Sequence, residues 1–286
     1  MATVRHIFHT RHDFSPTLGM ETMRLIWLAE NQDIDFEDIL YIAEAIGSPL
    51  RRRRNVDKIL ASLCDVGLLA RNSRAYRTTA WAKALRRGAG QWESSFNAAV
   101  HALYAWGWDE NCGIATPCWS YREVCQVIRD SGVLGISIDE IVLKVVDRAQ
   151  TQFGVSTVSF SRSSVAGILG WIEAQSPPLI ERQNGRVCPS PGPMRSADTI
   201  DSVLSAAAHR IGNPLRLEPG LLDRVAATLL LPQDAAFEAV RQRAADEQSV
   251  VWIDGVPPAI LISASADPFL VSLADSGQSR AVSTAS

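Results

Sequence analysis

Arg51, Arg52, Arg53 and Arg54 stand in an unbroken run, Asn55 and Lys58 follow, and Arg71, Arg74 and Arg77 recur a little further on. Guanidinium groups at this density do one kind of chemistry well. They hold polyanions, because each phosphate neutralised releases condensed counterions. Arginine also bonds guanine O6 and N7 in parallel, or clamps a phosphate in a planar fork. From Arg51 to Arg87 there are eleven Lys or Arg against two acids, a local balance of +9. Residues 1–50 carry −5 and residues 88–286 carry −7, so the net charge of −3 conceals one strongly positive segment. The plainer reading of the same residues is a solvated basic face, or a surface for an acidic partner.

Other residues could do different chemistry. His6, His9 and His12 recur every third residue in H-I-F-H-T-R-H, a spacing at which imidazoles could share a metal. In an extended segment they point in alternating directions, and no nearby cysteine completes a four-ligand set. Asp139-Glu140 with Lys144 supplies the ingredients of a metal-dependent nuclease, but helix capping and an i, i+4 ion pair account for them more simply. Trp106, Trp108 and Trp119 could stack on unpaired bases or pack in a core. The chain has no G-x-x-x-x-G-K-[ST], H-E-x-x-H or G-x-S-x-G motif and no Rossmann glycine set. A binding protein without a cofactor is therefore expected, rather than an enzyme. The five cysteines (Cys64, Cys112, Cys118, Cys125, Cys188) are scattered with no C-x-x-C pair, so they read as reduced, buried thiols of a cytoplasmic protein. No signal-peptide core and no apolar run near the ~18 residues of a membrane span is present.

The elements that must carry the basic residues follow from apolar spacing and breakers. Met23, Ile26 and Trp27 predict a helix over Glu21–Asn31, after an irregular arm over 1–19. Phe36, Ile39, Leu40, Ala43 and Ile46 predict a second helix, which Gly47-Ser48-Pro49 ends. Val56, Ile59, Leu60 and Leu63 give a third, from about Arg51 to Val66, leaving Arg51, Arg52, Arg54, Asn55 and Lys58 mostly on its open face. Gly67 stops it. Leu68–Arg71 and Arg74–Thr79 then read as two strands around Asn72-Ser73, and Trp81–Arg87 as a closing helix.

Helix, helix, turn, helix, hairpin, with the words DVGLLARNSRAYRTTAWAKAL, resembles the winged helix-turn-helix superfamily of DNA-binding domains over about residues 20–88. In that superfamily the third helix lies in the major groove, and the hairpin, or wing, contacts phosphates or the minor groove. The resemblance implies that Arg51, Arg52, Arg53, Arg54, Asn55 and Lys58 face the groove. Arg71, Asn72, Ser73, Arg74 and Arg77 would hold the backbone from the wing, with Lys83 beside them.

The same order recurs. An aromatic helix over Ser95–Trp108 reads as a spacer. Helices then follow at Tyr121–Asp130, from the Ser137 cap to Phe153, and from the Ser161 cap to Ala174. A hairpin closes the second unit around Asn184-Gly185. Ser161, Arg162, Ser163, Arg182 and Arg186 make this unit an auxiliary DNA contact or an ordinary polar surface. After the P-S-P-G-P linker, helices at 198–211, 219–231 and 233–248 precede a hairpin around Asp254-Gly255. Asp234, Glu238, Asp246 and Glu247 make that third unit acidic and suit it to packing or protein contact.

The expected fold is mainly α with short β-hairpins, a tandem array of winged helices. The boundaries are an arm at 1–19, a basic unit at 20–90, a helical spacer at 91–114, a second unit at 115–190, an acidic third unit at 196–263, and a Ser/Ala-rich disordered tail at 264–286. The expected partner is double-stranded DNA. The protein would be a transcriptional regulator, or the DNA-recognition subunit of a genome-maintenance or phage-defence complex. The alternative is an adaptor whose winged helices bind proteins, broadly similar to subunits of chromosome-organising complexes. A protein partner or self-association through the third unit and the aromatic spacer belongs with that alternative.

Overall fold

The computed structural model describes residues 8, 14–28, 33–51, 53–87, 92–108, 116–192, 195–246 and 250–262. The chain is mainly helical and carries three small antiparallel sheets of three strands each. One order of elements occurs three times. The first unit has α1 (Pro16–Leu28), β1 (Ile34–Asp35), α2 (Phe36–Ala45), α3 (Arg53–Asp65), β2 (Leu69–Asn72) and β3 (Ala75–Thr78). Two helices follow, α4 (Ala80–Arg87) and α5 (Trp92–Trp106). The second unit has α6 (Thr116–Ser131), β4 (Ile136–Ser137), α7 (Ile138–Phe153), α8 (Arg162–Glu173), β5 (Ile180–Gln183) and β6 (Arg186–Pro189). The third has α9 (Ala197–Ile211), β7 (Leu215–Arg216), α10 (Pro219–Leu229), α11 (Gln233–Asp246), β8 (Val250–Ile253) and β9 (Ala259–Ile262).

The two-residue strands β1, β4 and β7 have no counterpart in the sequence reading. Each pairs with the returning strand of its hairpin, so the strand orders are β1-β3-β2, β4-β6-β5 and β7-β9-β8. Ile34 faces Tyr76, Ile136 faces Val187 and Leu215 faces Ile260. All six side chains are buried, which bolts each hairpin to its own helices. Two of these strands run straight into capped helices. Asp35 accepts from the Asp38 amide at 2.9 Å while Asp38 accepts from the Asp35 amide at 3.2 Å. Ser137 and Glu140 repeat this reciprocal box on α7. Gly154, at φ 62°, ends α7 in the left-handed conformation that glycine favours.

The first helix starts earlier than its apolar spacing predicts. Pro16 opens it, where a missing amide proton costs nothing. Gly19 lies inside α1 because two rings crowd it. A Cβ there would sit 2.9 Å from the Phe14 ring and 3.2 Å from the Trp171 ring. Those rings pack at a tilt of 42° with centroids 4.8 Å apart, and the Trp171 indole N–H donates to the Phe14 carbonyl at 2.9 Å. The contact ties the first unit to the second.

The helix read as a spacer is the centre of the molecule. α5 is buried along most of its length and packs against α9, α6, α8, α4 and α1. Ala98, Ala99, Ala102 and Ala105 on α5, with Ala206 and Ala207 on α9, are small enough to let the axes approach closely. Trp106, Trp108 and Trp119 are buried too, and Trp119 packs edge-on against Phe8 and Phe153. Of the two roles open to these tryptophans, core packing is the one they fill.

His101, fully buried on α5, pins three helices. Its Nε2 lies 2.9 Å from the Thr228 carbonyl on α10, and its Nδ1 lies 2.8 Å from the Tyr121 hydroxyl on α6. A carbonyl can only accept, so Nε2 carries the proton and Tyr121 donates to Nδ1. Burial holds the imidazole neutral, with its pKa pushed down to about 4, against a smaller opposing pull from the Thr228 carbonyl. A folded pKa below the unfolded one contributes stability that is complete above about pH 6.5 and is lost as pH falls toward 4. Urea unfolding is expected to show about 3 kcal/mol of loss across that window from this residue alone. A His101→Gln chain, titrated alongside, should lack that component; equal slopes for the two chains would contradict it.

Candidate nucleic-acid interface

In the first unit Gly47, at φ 67°, turns the chain out of α2, and Pro49–Arg51 form a single 3-10 turn ahead of α3. Leu50 anchors that turn in the core. Residues 53–55 then form the first turn of α3, whose inward stripe is Val56, Ile59, Leu60 and Leu63. Arg52, and the side chains of Arg51, Arg53, Arg54 and Asn55, lie outside the described residues, as do His6, His9, His12 and the tail from 263. Lys58 is half-buried on the next turn.

The hairpin carries Arg71, Asn72, Ser73 and Arg74 at its exposed end. The Arg71 guanidinium lies 5.8 Å from the Tyr76 ring centroid and donates from Nε to the Ser73 carbonyl at 3.2 Å. Arg74 is exposed at the turn with no ion pair among the described residues. Arg77 is engaged differently. It forks onto Asp33 at 2.8 and 3.2 Å, holding that carboxyl below its ordinary range while its own pKa rises. The Asp33 pair fastens the returning strand to the residue ahead of β1. Burial raises the Tyr76 phenol; Arg71 pulls it down, while Cys64 and Asp57 push it further up. Tyr76 is thus within electrostatic range of both the wing and the second turn of α3. Lys83 is exposed on α4, which follows the wing directly.

The second unit's arginines are all paired with carboxylates. Arg162 meets Asp139 at 2.9 Å, Arg182 meets Glu173 at 2.5 Å, and Arg186 meets Glu140 at 3.2 Å. Arg186 also donates to the Leu134 and Gly135 carbonyls at 3.1 and 3.0 Å. Ser161 and Ser163 are exposed, with their hydroxyl oxygens 2.8 Å apart. Glu140 caps its helix, as read from sequence, but its ion pair is with Arg186 rather than with Lys144 at i+4. Ser137 is the main cause of its lowered pKa. In the third unit Glu238 pairs with Arg241, and Asp201 holds Arg243 at 2.6 Å.

The strand registers align the three hairpins residue by residue. Taking Tyr76, Val187 and Ile260 as equivalent, Arg71 corresponds to Arg182 and Trp252. Asn72 corresponds to Gln183 and Ile253, and Arg77 to Cys188 and Leu261. The same scaffold therefore presents a basic hairpin, a mixed hairpin and an apolar one. Val251, Ile253, Leu261 and the fully exposed Val256 make up the last. Among the described cysteines Cys118, Cys125 and Cys188 are buried and Cys64 is half-buried, while Cys112 lies outside the described residues. Burial pushes Cys118 up to about 12 and raises Cys125 as well, so both stay protonated.

The fold defines a helix-rich protein of three helix-and-hairpin units. Two solved structures share it, an SspB crystal structure and a magnesium ion-bound SspB crystal structure. Their TM-scores are 0.59 and 0.57, each at 15% identity, over 94% of this chain and 87% of that one. At that identity the likeness shows the fold alone. No family model matches the sequence, and no curated protein matches it. One SspB structure holds magnesium, yet among the described residues here no three His, Cys, Asp or Glu side chains gather where a metal ion would sit.

Since Arg71 and Arg74 make few contacts within the fold, replacing both with Ala should leave unfolding free energy within about 0.5 kcal/mol of native. Urea denaturation checks this; a larger loss would mark them as structural residues.

Proposed function

We propose that this protein binds double-stranded DNA through its first unit, as a transcriptional regulator or as the DNA-recognition subunit of a larger genome-maintenance or phage-defence complex. One observation carries the reading. Of the three equivalent wings, the only one with exposed arginines outside ion pairs among the described residues is the wing that follows the Arg51–Arg54 run. The order helix, strand, helix, helix, hairpin, with the first strand against the third, supports a winged helix-turn-helix reading of all three units.

In this reading α3 enters the major groove by its N-terminal end, where Arg51 and Arg52 ahead of the helix, Arg53, Arg54 and Asn55 in its first turn and Lys58 on the next divide between base edges and phosphates. Arg71, Asn72, Ser73 and Arg74 reach the backbone from the wing, and Lys83 adds charge at its base. Arg77 orients the wing through Asp33 rather than gripping DNA. The second unit's Arg162, Arg182 and Arg186 join only by exchanging carboxylates for phosphates. A protein-binding role for the third unit, to a partner or a second copy, is favoured separately by Val251, Ile253, Val256 and Leu261 on its exposed wing.

A mobility-shift titration over a salt series tests the DNA reading. Duplex affinity should fall steeply, with a log–log slope near −0.9 for each phosphate contacted. Changing Arg51–Arg54 to Ala should flatten the slope by about 2–4 and weaken binding about a hundredfold or more, with circular dichroism unchanged. Weak, salt-insensitive binding by the native chain would refute it in favour of the adaptor.

A further inference from the structure

The second unit stores its two best-placed arginines on its own acids. Asp139 and Glu140 are neighbours in the first turn of α7, so Arg162 at the start of α8 and Arg186 on the wing are drawn to adjacent points. Both pairs are exposed. The side chains are 72% and 63% accessible for Arg162–Asp139, and 43% and 48% for Arg186–Glu140. Exposed ion pairs are weakly held and exchange readily for another anion. Arg186 keeps its orientation through the Leu134 and Gly135 carbonyls whatever its anionic partner. The Ser161 and Ser163 hydroxyls beside Arg162 add phosphate donors of the right type. Gly135 holds this geometry closely. It has φ 63°, and a Cβ there would lie 2.4 Å from the Cys188 sulfur.

We propose that Asp139 and Glu140 are built-in counter-ions that occupy a second phosphate-binding surface, made by Arg162, Arg186, Ser161 and Ser163, until DNA displaces them. The inference rests on the DNA reading above and adds its regulation. A duplex that reaches only the first unit leaves both pairs intact. One whose backbone meets Arg162 and Arg186 together wins the exchange, so the acids lower general affinity and reward a particular path of DNA across two units.

The test uses the full chain and its Asp139→Asn/Glu140→Gln variant in the same salt series. Gln serves at the third helical position of a capping box as Glu does, so the helix start is preserved. The variant should bind duplex about tenfold more tightly, with a log–log slope steeper by about 1–2. Adding Arg162→Ala and Arg186→Ala should abolish the gain. Asp147→Asn/Glu181→Gln, the same change of two charges at exposed positions outside both ion pairs, controls for net charge. A gain no larger than the Asp147→Asn/Glu181→Gln gain, or one that survives loss of both arginines, overturns the proposal while the DNA reading stands. No salt-dependent binding by the native chain or the variant overturns both. Should the double variant misfold, Asp139→Asn alone, which leaves the capping box untouched, is expected to give about half the slope change, and no change would count against the proposal.

Discussion

Two backbone-paired residues per unit decide where each hairpin points. Ile34, Ile136 and Leu215 each bury one side chain against the returning strand, and a hairpin without that third strand would be a marginal two-stranded ribbon. Because the short strands run on toward the next helix, hairpin and helices become one rigid piece. Residues at the hairpin end are then aimed by the core. In the first unit Asp33 and Arg77 add an ionic brace at the same seam.

On that common frame the three units diverge by substitution rather than by shape. The register equivalence of Arg71, Arg182 and Trp252 compares three chemistries at one address. Arginine over a tyrosine face remains hydrated and available. Arginine on a glutamate is neutralised at short range. Tryptophan is half-buried and packs edge-on against Phe237 of α11. Local charge, not net charge, separates them, since the chain as a whole is slightly acidic.

Much of this was legible in the residues. Helices with a clean apolar stripe, and hairpins announced by Asn184-Gly185 or Asp254-Gly255, fall within a few residues of their predicted bounds, because local sterics and burial period specify both. Two-residue strands escaped, as two residues have no period. The Asp35–Asp38 box was missed beside the more obvious Ser137 cap, although both use the same spacing. Carboxylate partners could not be read at all. Asp139 meets Arg162 and Asp33 meets Arg77 only after the chain has folded back. The tryptophans near 106 and 119 were ambiguous for a different reason: an aromatic stripe has the same pattern whether it stacks on a ligand or fills a core, and only burial tells the two apart.

Gly19 gives the joint between the basic unit and the body an unusual intolerance. One hydrogen atom is all that separates the α1 backbone from two aromatic rings of different origin, one from the segment before α1 and the other from the second unit. A methyl group at this point would lever the Phe14 ring away from its indole neighbour and loosen the seam from its middle. The angle between the two halves is thereby keyed to the smallest side chain available, at a spot that touches neither wing.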